Sequence, residues 1–440
     1  MEGFADTQSI NSGDSESNAL ISGARTEGLS IFMTAVFMVG EMAGSGVLAL
    51  PSAIEETGWI GLVLLVFCGF ISSFTGDVLG ECWGIIRERF PKMDNARYPY
   101  PGIGTLTYGV VGRLVISISI NFTLFGVSCV FLLLASQNLH SVFLNNHAFD
   151  LSFCYWLLIV AAILLPFTMP ATPKEFKFVA LGASAATTVA CVILIVLMGI
   201  DSGKKPVVHK KVDPLSFAAA FGTICFAFGG HPTFPTFQND MKQPNKFGKA
   251  CSIAYSVMIL LYFPVAAGGY FVYGNRVTDN VLEAVTVGPA LTIIQCLITI
   301  HLFCSFIIVI NPLCQEVEEV LKINPAFNIK RVIIRTLICI LVLFVTESIP
   351  HFGAILSLIG GSSTTLLAYV APPIFYFKLA YAKGNWPEIQ IPLWKTVLLI
   401  TIMVVGTLAG IFATYSAIQA IASPGAFTAP CFINVTAASG

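Results

Sequence analysis

Eleven apolar runs follow one another along this chain, and most of the charged residues fall in the gaps between them or at their ends. The runs cover residues 28–54, 59–86, 111–139, 152–172, 176–200, 215–240, 249–274, 287–315, 331–349, 352–378 and 394–422. About 20 apolar residues in a helix cross the ~30 Å hydrocarbon of a bilayer. Hydrocarbon offers no partner to a free backbone amide, so such runs can be only helices or a closed barrel. Runs of this length are helical, and the expected fold is an all-α polytopic membrane protein with eleven transmembrane helices. The ninth run is the weakest, because Arg335 intrudes on it.

Composition agrees with this pattern. Charged residues make up 11% of the 440, where a soluble protein carries roughly 25%. The net charge of −1, with no long basic or acidic tract, argues against a nucleic-acid partner. The twelve cysteines contain no CxxC, and most lie inside apolar runs as small buried hydrophobes. Cys154 and Cys431 are the two that could meet on the exoplasmic side as a disulfide. No metal site and no organic cofactor is expected.

Orientation follows from Lys and Arg, which concentrate in cytoplasmic loops. With a cytoplasmic N-terminus, 18 of the 23 fall on the cytoplasmic side. The lysines of DSGKKPVVHKK break the rule locally. The C-terminus is then luminal or extracellular, where Asn434-Val-Thr436 is a glycosylation sequon. Residues 1–27 read as a disordered cytoplasmic tail without a signal-peptide core, leaving the first span as the targeting signal. Within the tail, Glu16, Leu20 and Ile21 have the spacing of an acidic dileucine signal for a sorting adaptor, which leaves both plasma-membrane and endosomal, lysosomal or vesicular locations open.

Two of the runs are broken in the middle. The first contains GEMAGSGVLALP, residues 40–51, and the sixth contains FAFGGHPTFP, residues 226–235. The fifth run contains GASAATT at 182–188, and the tenth contains GGSSTT at 360–365. Spans one to five therefore echo spans six to ten in order and spacing. Five is odd, so the second copy must insert upside down, which is the inverted-repeat plan of secondary transporters. The segments are 1–27 tail, 28–200 first five-helix repeat, 201–214 exoplasmic loop, 215–378 second repeat, 379–422 linker and eleventh helix, and 423–440 exoplasmic tail.

A broken helix frees N–H groups at the start of its second half, and these bind anions. Gly44, Ser45, Gly46 and Val47 would seat the carboxylate of a zwitterionic amino acid there, with carbonyls freed at the break receiving its ammonium. Gly230 would border the pocket from the sixth span and Asn121 from the third. An ionisable residue at mid-membrane costs about 3 kcal/mol on insertion scales and implies a function. Glu41 and His231 are the candidates, by exchanging a proton with the driving gradient or by pairing with each other. His301 reads as a satisfied buried histidine. Asp77 and Glu81 read as an interfacial ion-pair network near Arg87.

These residues carry a family resemblance. GSGVLALPSAIEETGW, residues 44–59, resembles the first-helix signature of the amino acid/auxin permease family. FAFGGHPTFPTFQNDMKQPNKF, residues 226–247, is similar to the family's sixth-helix stretch, with Met241, Pro244 and Phe247 in its cytoplasmic continuation. The resemblance covers about residues 28–422. It implies an eleven-helix inverted-repeat fold, with helices one and six broken around the substrate, and amino-acid transport coupled to H⁺ or Na⁺. In sodium-coupled members an Asn often stands four residues before the glycine pair, where this chain has Gly40, which favours protons. The expected function is thus a non-enzymatic secondary transporter of neutral amino acids working by alternating access, with its substrate, the lipid bilayer and the sorting adaptor as partners. A sodium-coupled symporter and an amino-acid sensor that binds without turnover are the alternatives.

Overall fold

The computed structural model describes residues 28–91, 98–145, 151–169, 176–324, 326–349 and 351–423. Glu16, Leu20, Ile21, Cys431 and Asn434 lie outside these. Among the described residues every regular element is helical, and the sole extended pairing is an isolated parallel bridge between Leu29 and Met241.

The first apolar run forms two helices, α1 (Ile31–Met42) and α2 (Gly46–Thr57), bent by 63° to each other across the break. Ser30 caps α1 by accepting from the Met33 amide. Then come α3 (Ile60–Arg89), α4 (Pro99–Asn145), α5 (Phe153–Leu164) and α6 (Phe176–Asp201). The sixth run gives α7 (Pro214–Ala227), a 3₁₀ turn at His231–Thr233 and the six-residue α8 (Phe234–Asn239). After these come α9 (Phe247–Tyr273), α10 (Pro289–Val320) and α11 (Ile329–Ser348). The tenth run starts as α12 (Phe352–Ile359), passes through two π-helical turns at Gly360–Thr364 and Leu366–Val370, and ends as α13 (Ala371–Ala380). Last is α14 (Leu393–Ala422).

Eight helical segments are long and apolar enough to cross a membrane, nine when the bent α1–α2 pair is taken as one span. Two of the eleven runs fall short. The fourth ends early, with α5 and a 3₁₀ turn spanning only Phe153–Thr168. The ninth, α11, carries Lys330, Arg331 and Arg335 in its first two turns. The 47-residue α4 is at ~1.5 Å per residue far longer than a bilayer is thick. It kinks at Tyr108–Gly109, where Gly109 has φ 65°, a left-handed conformation open to glycine without a Cβ clash.

The tenth span is the most enclosed, with 72% of its most apolar window buried against 28% for α14. Small residues allow its central position. A Cβ on Gly360 would fall within 2.6 Å of the Gly222 carbonyl carbon on α7, and one on Gly361 within 2.7 Å of the Ala413 Cβ on α14. α9 packs along α1, α2 and α3, buttressing both halves of the first span.

Buried charges clamp the helix ends. Arg335 donates from Nε to Glu318 Oε1 of α10 at 2.5 Å and from its guanidinium to the Thr168 carbonyl, while Arg331 Nε lies 3.2 Å from the same carboxylate. The arginine that weakens the ninth run's hydropathy is thus the one that ties α11 to α10 and to the end of α5. Glu81 pairs with Lys395 of α14 at 2.7 Å, rather than with Arg87, and Lys395 also donates to Tyr376 Oη. The Asp77 carboxylate lies over the first turn of α9, where a Cβ on Gly248 would meet it at 2.0 Å, a placement favoured by the positive end of that helix. At the opposite face Asp201 accepts from Tyr273 Oη, the Thr286 amide and hydroxyl, and Lys204 Nζ.

Removing one member of a buried ion pair strands the other at a cost of about 3–5 kcal/mol. Glu318→Gln, which leaves Arg331 and Arg335 facing each other, is expected to lower the melting temperature of the detergent-purified protein clearly. Lys204→Ala, melted alongside it, should show a far smaller effect, because Lys204 is half exposed and Asp201 keeps its Tyr273 and Thr286 donors.

Candidate substrate site at the paired helix breaks

α1 ends at Met42, and Ala43 (ψ 71°) leaves the helical path. Ser45 precedes α2 without making a side-chain cap. The Gly44 amide turns back to the Met42 carbonyl at 2.8 Å, and Leu48 N reaches Ser45 O at 3.2 Å. The amides of Gly46 and Val47, in the first turn of a twelve-residue helix, have no carbonyl one turn behind them. Ser45 is 2% exposed and its Oγ is buried without a hydrogen-bond partner. This corner therefore concentrates uncommitted donors at the positive end of α2.

The sixth span breaks against it. Gly229 N returns to Phe226 O at 2.9 Å and Gly230 N to Phe228 O at 3.1 Å, and the 3₁₀ turn follows. The two interruptions touch. A Cβ on Gly46 would lie 2.9 Å from Ala227 Cα, and one on Gly230 would lie 2.9 Å from Met42 Cγ. The start of α2 thus sits on the end of α7, and the end of α1 on the turn before α8. Opposite helix poles meet at both contacts, an arrangement that offsets their dipoles.

One side chain joins both breaks. Tyr262 of α9, fully buried, places its hydroxyl 2.8 Å from the Met42 carbonyl and 3.2 Å from the Ala227 carbonyl. Its single proton serves the last carbonyl of α1 and that of α7. Seven residues earlier on the same face, Tyr255 Oη donates to Phe228 O at 2.9 Å. The carbonyls that the sequence assigns to a ligand ammonium are thus partly satisfied from within.

The glycines divide by role. Gly46 is a close-contact position between α2 and α7. Gly44 is not: the atoms nearest a Cβ there are His301 Nε2 at 3.3 Å and the Phe131 ring at 3.8 Å. Gly44 therefore faces side chains of α10 and α4. Val47 is buried in the first turn of α2. Glu41, in the last turn of α1, is exposed and makes no hydrogen bond or ion pair.

His231 is fully buried and lies against α3, its Nε2 3.0 Å from Thr75 Oγ1. The Thr75 hydroxyl proton is taken by the Ile71 carbonyl at 3.1 Å, so Nε2 carries the hydrogen and donates. Nδ1 is left without a partner. No ion pair joins His231 to Glu41. Asn121 donates to its own helix at Ser117 O, with Oδ1 buried and unpartnered. It lies ten residues before Phe131, about 15 Å along α4, and its neighbour Thr123 donates to Ser363 Oγ of the π segment at 2.7 Å. Asn121 is two residues from Thr123 on the helix and so faces away from that contact, and it makes no bond to the residues at the breaks.

Cys154, at the start of α5, is disulfide-bonded, and the other cysteines among the described residues are free. A separate cavity of about 230 Å³ opens beyond the breaks between α2, α7, α12 and α14, lined by Glu56, Asp279 and His351 among others. Sequence reading missed Tyr262, Tyr255 and Phe131. The seven-residue spacing of the two tyrosines in an apolar run was the available signal.

Comparison with known proteins agrees with this geometry. Residues 27–419 match the family model described as transmembrane amino acid transporter protein. Amino acid transporter AVT1B of Arabidopsis thaliana is 26% identical over 397 residues, covering 87% of this chain and 69% of the relative. Among solved structures, Mhp1, a nucleobase-cation-symport-1 family transporter in a closed conformation with bromovinylhydantoin bound, aligns with a TM-score of 0.54 at 13% identity, over 93% of this chain and 97% of that one. MhsT in complex with L-phenylalanine aligns with a TM-score of 0.50 at 12% identity, over 89% of this chain and 100% of that one. At such identities these two share the fold.

The contrast between the glycines is measurable. Gly46→Ala forces a methyl group into α7 backbone and should lower the melting temperature distinctly, overpacking costing about 1–3 kcal/mol. Gly44→Ala should melt close to wild type. Equal melting of the two variants would remove the distinction.

Proposed function

Because the chain belongs to the transmembrane amino acid transporter family, we propose that it carries neutral, zwitterionic amino acids across a membrane by alternating access, coupled to protons. The observation that carries the reading is the pair of interrupted spans pressed together, with uncapped amides and the orphaned Ser45 hydroxyl on one side and helix-terminal carbonyls on the other. That arrangement presents positive and negative ends within a few ångströms, which a zwitterion can satisfy at once. The substrate carboxylate lies along the backbone of residues 44–47 on the side of Gly44. The ammonium competes with the Tyr262 hydroxyl for the Met42 and Ala227 carbonyls.

The fold supports the same reading. Counting α5 and α11 as the fourth and ninth crossings gives eleven spans, with interruptions in the first and the sixth and five helices per repeat. α11 crosses by pairing its arginines with Glu318 rather than by hydropathy alone. The Lys and Arg distribution favours a cytoplasmic N-terminus. Glu41, exposed on the last turn of α1, is the candidate for exchanging a proton with the driving gradient. His231 holds the second break against α3 through Thr75. The relatives are themselves named as amino acid transporters, and nothing in the family's chemistry is enzymatic.

Proteoliposomes loaded with purified protein test this, with each of the twenty tritiated amino acids offered under a pH gradient or a Na⁺ gradient imposed separately. Saturable accumulation of a neutral amino acid, driven by the pH gradient and abolished by a protonophore, is the expected result. Unsaturable flux would make the protein a passive pore, and saturable binding without flux would make it a sensor. Accumulation under the Na⁺ gradient alone would reassign the coupling ion. Glu41→Gln is expected to reduce pH-driven accumulation at least tenfold.

A further inference from the structure

His301 occupies a place the interrupted spans alone do not explain. It sits on α10, 2% exposed, and its two ring nitrogens have different fates. Nδ1 lies 3.0 Å from the Ala183 carbonyl of α6. A carbonyl can only accept, so Nδ1 carries a hydrogen and donates it. In the neutral ring Nε2 is then an acceptor, and the hydroxyl of Ser305 on its own helix donates to it at 3.2 Å. The same nitrogen faces the backbone of Gly44, where a Cβ would lie 3.3 Å away. Phe131 of α4 closes the corner edge-on, with ring centroids 6.4 Å apart.

The groups that meet the ring are thus the Ala183 carbonyl from α6, Phe131 from α4, Gly44 from the first span and Ser305 from α10. No acid or base faces it from these elements, and no charged side chain acts on it. Glu41, three residues before Gly44, is the closest ionisable residue in sequence on the first span. A carboxylate seated on the backbone at Gly44 would therefore meet the Nε2 lone pair. Two acceptors repel. The same nitrogen carrying a proton would donate to that carboxylate, forming a charge-assisted hydrogen bond.

We propose that His301 is the residue that makes proton and amino acid bind together: Nε2 takes up one proton as the substrate carboxylate arrives at Gly44 and holds that carboxylate while both are bound. This rests on the transporter reading above and names how coupling is achieved at its site. The Nδ1 anchor on Ala183 fixes which nitrogen responds. Each ligand then raises the affinity for the other by the same factor, as linkage requires. The proton leaves when the carboxylate leaves, so one proton moves with each substrate. Glu41, exposed on the last turn of α1, exchanges the proton with solvent, and His301 holds it at the seat. The Ala183 carbonyl belongs to the GASAATT stretch of α6, giving that small-residue segment a purpose beyond close packing.

The test measures binding of tritiated amino acids to the purified full chain between pH 5.5 and 8.5, together with protons taken up on binding in weakly buffered solution. Wild type is expected to lose at least tenfold in affinity across this range and to absorb about one proton per amino acid bound. His301→Gln keeps an N–H donor near the Nε2 position and should bind with a flat pH profile and no proton uptake. His301→Asn keeps the donor to Ala183 and lacks the reach to Gly44, so it should bind at least tenfold more weakly than wild type at pH 5.5. A wild-type pH slope and proton uptake surviving in His301→Gln would overturn the proposal. If that variant is not monodisperse, the same slope surviving in His301→Asn overturns it. A flat pH profile in wild type sinks the role of His301 and leaves the transporter reading standing, whereas wild type binding none of the twenty amino acids sinks both.

Discussion

The Tyr262 hydroxyl is where the two interruptions become one structure. A helix that stops inside a membrane exposes carbonyls that hydrocarbon cannot satisfy. Here the last carbonyl of α1 and that of α7 converge on a single phenol from α9, and the Phe228 carbonyl takes a second phenol from the same face. Unwinding is tolerable because α9 supplies what the helices have lost. A buried unsatisfied carbonyl costs about 1–3 kcal/mol, so these tyrosines offset much of what the breaks cost. They leave the donors of α2 uncommitted, the asymmetry on which the proposed carboxylate seat depends.

The sequence announces where helices must fail and is silent on what repairs them. GEMAGSG and FAFGGHP show interruptions because glycine, proline and ionisable residues are costly in mid-membrane. Tyr262 lies 220 residues from its carbonyl partner at Met42, and nothing local to either marks the pairing. The glycines show a similar limit. Gly44 and Gly46 are indistinguishable in the sequence, yet one faces the His301 and Phe131 rings while the other faces backbone. His301 reads as an ordinary buried histidine because its meaning depends on which nitrogen the Ala183 carbonyl engages. The helix count was legible where apolarity alone pays for crossing, and less so at α11, whose arginines are neutralised by a carboxylate from another helix.

The surrounding helices have a different design. Glu318 with Arg331 and Arg335, Glu81 with Lys395, and Asp201 with its four donors each bind helix ends that are remote in sequence. Two are buried, and all pin scaffold helices rather than the broken ones. Polar contacts at the crossing are mostly single hydrogen bonds to carbonyls. Multiple clamps outside and single hydrogen bonds within are the division that the proposed alternating access calls for.

The isolated bridge at the start of the described chain has a mechanical consequence. Leu29 donates to the Asp240 carbonyl at 2.6 Å and accepts from the Lys242 amide at 2.9 Å. The entrance to α1 is thereby stitched to the exit of α8, on the side where the N-terminus lies. Each bond is worth about 1 kcal/mol, so thermal motion opens the stitch only briefly. While it holds, the entrance of α1 cannot part from the exit of α8, so a displacement of either half-helix is handed to the other.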